Sequence, residues 1–257
     1  MSKYGDKVRR TQRPQVVPIG FRAVRPARNL ALLLTVFLKD ADASAAAKAA
    51  ETGADALLVR TKKVDVDTLK ALVEAAGEMP CGVWPEKLER EMVDDLKAAG
   101  VDFAVFESEG TPACALLDHK LGYVLQLAAP KDDTSLRVID SLPLDALFLP
   151  EWKGPLTVEG QLELRRTVGL ARKLLVLPVP LSIEAGELEC LRDSGVASLL
   201  LDGGEKDVWD VLPSIRKMIE ELPSPRRKEP TLEAILPRAR AAAEEEEDDE
   251  EEDDEDE

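Results

Sequence analysis

One pattern recurs along this chain and narrows what it can fold into. A glycine that stops a helix is followed by an aspartate, then an apolar run of strand length, then polar residues released at the far end. Ala99-Gly-Val-Asp-Phe-Ala-Val-Phe-Glu-Ser-Glu-Gly110 is the fullest copy. Thr52-Gly-Ala-Asp-Ala-Leu-Leu-Val-Arg-Thr61, Leu144-Asp-Ala-Leu-Phe-Leu-Pro-Glu151 and Ser194-Gly-Val-Ala-Ser-Leu-Leu-Leu-Asp-Gly203 are its relatives. Together with them, apolar runs fall at 30–38, 55–60, 80–85, 101–106, 121–128, 145–150, 173–179 and 196–201. Such uninterrupted runs are what strands of a parallel sheet look like when both faces are buried.

Helical segments lie between the runs. Val66, Leu69, Leu72, Val73 and Ala76 share one helix face, and Leu88, Met92, Leu96 and Ala99 share another. Thr111-Pro112 reads as an N-cap with proline at the first helical position, and Thr157 and Ser182 as caps of the sixth and seventh helices. Gly53, Gly100 and Gly195 stand where a left-handed residue ends a helix just before a strand. Eight strands, each with a following helix, predict a (β/α)₈ TIM barrel over residues 29–222, ahead of an open doubly wound sheet. The motif falls on strands two, four, six and eight, a spacing that suggests duplicated βαβα units. In the last unit Pro213 interrupts the helical pattern, which predicts a short extra helix before the closing one.

The ends of the chain differ from its middle. Residues 1–28 carry +7 and several prolines with no regular period, and read as an extended basic arm. Residues 223–243 read as a linker with one short helix, bearing Leu232, Ile235 and Leu236 on one face. Residues 244–257 are all Asp or Glu, a composition that predicts disorder. The net charge of −17 therefore leaves −10 for residues 29–243, which argues against a nucleic-acid face on the barrel. The acidic tail has two natural partners, a basic surface elsewhere or the chain's own basic arm. Cys81, Cys114 and Cys190 are odd in number and lack CxxC spacing, so free thiols in the cytoplasm are expected. The longest apolar run, 30–38, is too short to cross a bilayer, and no secretion signal is expected.

In a (β/α)₈ barrel the site lies at the C-terminal strand ends. The candidates there are charged and mixed in sign. Arg60, Glu107, Pro150 and Asp202 occupy equivalent places in the repeat, so Arg60 is expected near Glu107 and Asp202. Glu107, Asp202 and Glu151 are the candidates for proton transfer. Arg60, Lys62, Trp84, Gly203 and Gly204 are the candidates for ligand binding. An ion-paired plug closing the barrel competes with this reading, because charged groups at a barrel end need partners in any case. Glu107, Glu109, Glu151 and Asp202 have the right chemistry for Mg²⁺, but no DxD or HxH spacing supports a metal, and no cofactor motif is evident. His119, the one histidine, is expected in the last turn of the fourth helix.

Gly203-Gly204 followed by a helix broken at Pro213 resembles the layout of the broad phosphate-binding class of these barrels, across roughly 173–212. The resemblance implies an anion at the turn after strand eight. Two departures stand against it: the loop after strand seven has no glycine, and Glu205 and Asp207 put negative charge at that helix start. Two functions are thus expected in competition. The first is an enzyme or binder of a small anionic, phosphorylated metabolite at the strand ends. The second is a non-catalytic scaffold acting through its charged termini.

Overall fold

All eight apolar runs are strands in the computed structural model, which describes residues 2–12, 31–62, 64–127, 131–152 and 155–223. They are β1 (Leu33–Leu38), β2 (Ala56–Thr61), β3 (Cys81–Pro85), β4 (Phe103–Glu107), β5 (Gly122–Gln126), β6 (Ala146–Phe148), β7 (Leu174–Pro178) and β8 (Val196–Asp202). They pair in parallel in chain order, and β8 returns to β1 with Leu200 beside Thr35, closing the barrel. The doubly wound alternative is excluded by that closure. The readings of residues 13–30 and 224–257, including the linker, its helix and the acidic tail, fall outside the described residues.

Alternation along each strand divides the buried side chains into two cores. Leu33, Leu58, Phe103, Val105, Val124, Phe148, Val176 and Leu200 fill the barrel interior. The other strand faces pack outward against α2 (Ala43–Glu51), α3 (Val66–Ala76), α4 (Arg90–Ala98), α5 (Asp133–Ile139), α6 (Val158–Ala171), α7 (Ala185–Asp193) and α8 (Val208–Glu220). Gly82 is an inward position on β3, and a Cβ there would collide with the Phe103 ring. Glycine is therefore what lets a phenylalanine cross the barrel axis.

Three local expectations are corrected. The fourth unit has a single 3₁₀ turn, Ala113–Leu117, in place of a full helix. Asp118 ends it by accepting from the Lys120 amide (2.8 Å) and from Lys97 Nζ (2.6 Å), which leaves His119 exposed in the connecting turn. Ser182 does not cap α7, whose N-cap is Glu184 without a side-chain bond, whereas Thr157 does cap α6 by accepting from the Gly160 amide. Pro213 does not split the last helix. It lies exposed within α8 and forfeits one backbone bond, while Val208, Leu212, Ile215 and Ile219 bury a continuous stripe. Four buried aliphatics, each contributing about 1.5–3 kcal/mol, outweigh that loss.

The largest correction is at the N-terminus. Lys3–Thr11 is a helix, α1, and not part of an extended arm. Ser2 caps it by accepting from the Gly5 amide, Asp6 lies in its first turn, and Arg9 and Arg10 lie in its last. Its only apolar side chains, Tyr4 and Val8, are both fully buried, because α1 seals the N-terminal end of the barrel. Tyr4 stacks on Phe103 with centroids 4.1 Å apart, and burial pushes its phenol up to about 12.

The repeated aspartates explain the seal. Asp102 accepts from the backbone amides of Lys3 (2.8 Å) and Tyr4 (2.7 Å). Asp145 accepts from Ser2 Oγ (3.1 Å) and from Arg9 (2.8 Å). Asp55 accepts from the Leu34 amide (2.8 Å) and from Arg216 of α8 (2.5 Å), and its carbonyl accepts from Lys7 Nζ (2.8 Å). In the fourth copy of the motif the aspartate is replaced by Ala197, fully buried in the cluster that holds Tyr4.

Two outcomes follow for stability. Asp102→Ala leaves two amides at the helix start without their carboxylate, and is expected to lower unfolding free energy by about 2–3 kcal/mol in urea titrations. The second concerns acid. The hydrogen bond from Lys97, with its charge, holds Asp118 down at about 2 against an ordinary 3.8. A depressed carboxylate stabilises the fold above its unfolded value, and that share is lost as pH falls from 3.8 toward about 2. In Lys97→Met the Asp118 resonance is expected to titrate nearer 3.8 by NMR, with a correspondingly smaller loss of stability across that window.

Candidate functional site at the strand ends

The mouth of the barrel is floored by aromatic rings. Phe37 on β1, Trp84 on β3 and Phe148 on β6 are inward residues of the upper layer. Trp84 meets Phe148 edge-on at 5.2 Å and Phe37 at a tilted 5.8 Å. Three rings fill the narrowing end of an otherwise aliphatic interior, with favourable edge-to-face geometry. Only Trp84 of the three was singled out from sequence. Phe37 and Phe148 were legible in principle, since strand alternation places both inward.

Arg60 follows from β2, beside Trp84 in the sheet register. Its guanidinium lies over the Trp84 ring, Cζ to centroid 4.6 Å, a cation–π contact that orients the side chain. Among the described residues no carboxylate pairs with Arg60 within 4.0 Å. Among the described residues the charge is therefore held in place by a ring face and not by a carboxylate.

Asp202 ends β8 and is already engaged. Its Oδ2 pairs with Lys39 Nζ at 3.0 Å, and its Oδ1 accepts from the Gly204 amide at 2.9 Å. The Gly203 amide donates to the Phe37 carbonyl at 2.7 Å, and a Cβ on Gly203 would press on Leu38. Both amides of the turn after β8 thus have partners within the chain. The helix behind them, α8, follows the N-cap residue Asp207, itself left-handed at φ 76°, and has no side-chain cap.

Glu107 ends β4 next to Gln126 of β5. Its carboxylate is exposed, with no side-chain partner among the described residues, while its carbonyl accepts from Thr111 Oγ1 at 2.7 Å. Gln126 projects from the same layer as the aromatic floor, and its side-chain oxygen is buried without a hydrogen-bond partner among the described residues. Such an oxygen calls for a donor. Lys62 and Glu151 are exposed on the loops after β2 and β6. Trp152 lies away from the mouth, against the outer core beside Gly160 of α6.

Arg60, Glu107 and Asp202 thus share the strand-end face without forming ion pairs with one another. In place of the competing ion-paired plug, the described residues show an aromatic layer, with Lys39 rather than Arg60 on Asp202. Among the described residues no three His, Cys, Asp or Glu side chains are grouped to hold a metal ion.

The fold is shared with solved enzymes. The chain is similar to thiamine phosphate pyrophosphorylase from Pyrococcus furiosus, with a TM-score of 0.56 and 18% identity over 74% of this chain and 96% of that one. It is similar to the tryptophan synthase α-subunit of the same organism, with a TM-score of 0.54 and 15% identity over 74% and 97%. An HpcH/HpaI aldolase from Desulfitobacterium hafniense gives 0.51 and 13% over 75% and 94%. No protein-family model matches the chain, and no protein of curated function matches its sequence. At these identities the likeness is one of fold.

Proposed function

We propose that the strand-end mouth binds a small anionic metabolite, with a phosphoryl or carboxylate group on Arg60 and a flat or apolar body on the Trp84 floor. The observation that carries this reading is the Arg60 guanidinium, oriented by Trp84 and left without a carboxylate among the described residues. Lys62, on the loop after β2, adds positive potential nearby. Gln126 accepts a ligand N–H or O–H through its buried oxygen. If the bound molecule is turned over, Glu107 is the group for proton transfer, because its carboxylate has no partner among the described residues. Asp202 would first have to release Lys39, and Glu151 would act from the loop after β6. An anion at Gly203 and Gly204 would have to displace the Asp202 carboxylate from the Gly204 amide. This favours Arg60 over the glycine turn as the primary anchor. The similar fold of thiamine phosphate pyrophosphorylase is in keeping with a phosphorylated ligand.

A scaffold without catalysis is the second reading, favoured by the way Phe37, Trp84 and Phe148 close the barrel beneath the mouth. Thermal unfolding with inorganic phosphate, pyrophosphate and a panel of phosphorylated and carboxylated metabolites separates the two. A ligand at about a hundred times its Kd adds roughly 2.7 kcal/mol, and Arg60→Ala is expected to weaken it at least about tenfold. Absence of any shift across the panel would leave the scaffold.

We assign the tail, residues 244–257, to a basic partner or to the chain's own basic segment. Lys7 and Arg9 of that segment are already committed to the barrel. Deleting 244–257 is expected to change the hydrodynamic radius or self-association at low salt and not at high salt, because exposed charges are screened over about 10 Å at 0.1 M. A cytoplasmic setting accords with three cysteines free of disulfides. No described helix is long and apolar enough to cross a membrane.

A further inference from the structure

The charges at the mouth are sorted by wall. β2 and the loop after it carry Arg60 and Lys62, whereas β4 and the loop after it carry Glu107 and Glu109. Arg60 lies on the Trp84 ring, and Asp202, two strands away on β8, is taken by Lys39 at 3.0 Å.

The wall that faces Arg60 is built from acceptors. Phe103 and Val105 of β4 and Val124 of β5 lie in the barrel interior, and alternation carries those rows up to Glu107 and Gln126. The two are partners in the parallel register, so their side chains stand side by side at the strand ends. Among the described residues, the Gln126 side-chain oxygen is buried without a hydrogen-bond partner, and the Glu107 carboxylate has no side-chain partner. These oxygens cannot satisfy one another, because neither an amide oxygen nor an ionised carboxylate carries a proton. A hydroxyl offers them one proton. An ammonium offers three, with a charge opposite to that of Glu107.

β2 is two strands from β4 and three from β5 in a closed ring of eight, which sets Arg60 and the Glu107–Gln126 pair on different sides of the mouth. Trp84 and Phe148, reaching in from β3 and β6 to meet edge-on at 5.2 Å, form the floor between them. Resting on the anion at Arg60 proposed above, we infer that the ligand is a zwitterion. Its protonated primary amine sits on Glu107 and Gln126, and a carbon chain over the rings joins it to a phosphoryl or carboxylate group on Arg60. Such a ligand answers both walls at once, whereas a plain anion leaves the two acceptors as they are.

Isothermal titration of the full chain with ω-aminoalkyl phosphates of graded length tests this, against hydroxyalkyl and plain alkyl phosphates of the same lengths. The ω-amino and plain alkyl carboxylates, run in parallel, tell which anion Arg60 takes. At least one amine is expected to bind about tenfold or more tightly than its hydroxyl and plain counterparts, the gain of a charge-assisted hydrogen bond. Glu107→Gln and Gln126→Leu are each expected to cut that preference to about threefold or less without weakening the plain anion, whereas Arg60→Ala weakens every member. Far-UV circular dichroism checks folding, and Glu107 is exposed, so Glu107→Gln carries the test if Gln126→Leu does not fold. Equal binding of amine and plain anion would overturn the zwitterion and leave the anion at Arg60 standing. Hydroxyalkyl phosphates that match the amines, or an amine preference that survives Glu107→Gln, would overturn it too. If no member of any series binds, it falls together with the anion reading.

Discussion

Closure of the barrel's N-terminal end depends on carboxylates that meet a helix start. Asp102 takes the amides of Lys3 and Tyr4, two of the donors that a helix leaves unsatisfied. Burial raises the pKa of Asp102, and the two amide bonds work against that rise. The balance is the cost of placing a charge under the barrel, offset by what it holds there. Asp145 grips the cap residue and Arg9, while Asp55 ties β1 and α8 to the same end. With α1 in place, Tyr4 fills the axis below Phe103, and an end that would admit water becomes packed core.

The two ends of the barrel are built by different rules. At the sealed end, Asp55, Asp102 and Asp145 each accept two side-chain or backbone hydrogen bonds, and burial shifts Tyr4, Lys7 and Asp102 from their ordinary values. At the mouth, a layer of three rings supplies closure without using polar partners, so some of the polar groups above it remain available while Asp202 pairs with Lys39. Arg60 is held by a ring face, Gln126 keeps an oxygen unmatched, and Glu107 stands free of side-chain partners among the described residues. Engaged carboxylates at one end and available groups at the other is the distribution expected if the lower face serves stability and the upper face serves binding.

Much of this was legible residue by residue. Each strand announced itself because both of its faces are buried, which leaves no polar alternation to blur the run. The helix-ending glycine of the motif was legible because only a residue tolerating positive φ fits there, and Gly100 is found at φ 82°. The helix at Lys3–Thr11 was not recognised, because two apolar side chains in nine carry almost no periodicity. Its cap Ser2 and its charge placement were the available signals. Pro213 misled for the opposite reason, since a local penalty was outweighed by burial of Val208, Leu212, Ile215 and Ile219.

By itself the sequence determined the fold, through eight two-sided apolar runs and the glycines and caps that separate them. It also marked the aspartates of the motif as special, without saying for what. Only the tertiary structure decided their purpose, because α1 lies almost a hundred residues from Asp102 and more from Asp145. The same holds at the mouth. Which charge pairs with which depends on the neighbours that barrel closure supplies: β8 beside β1 puts Lys39 on Asp202, and β2 beside β3 lays Arg60 on Trp84. Local pattern encodes an element, whereas the partner of a charged side chain is set by contacts between elements distant in the chain.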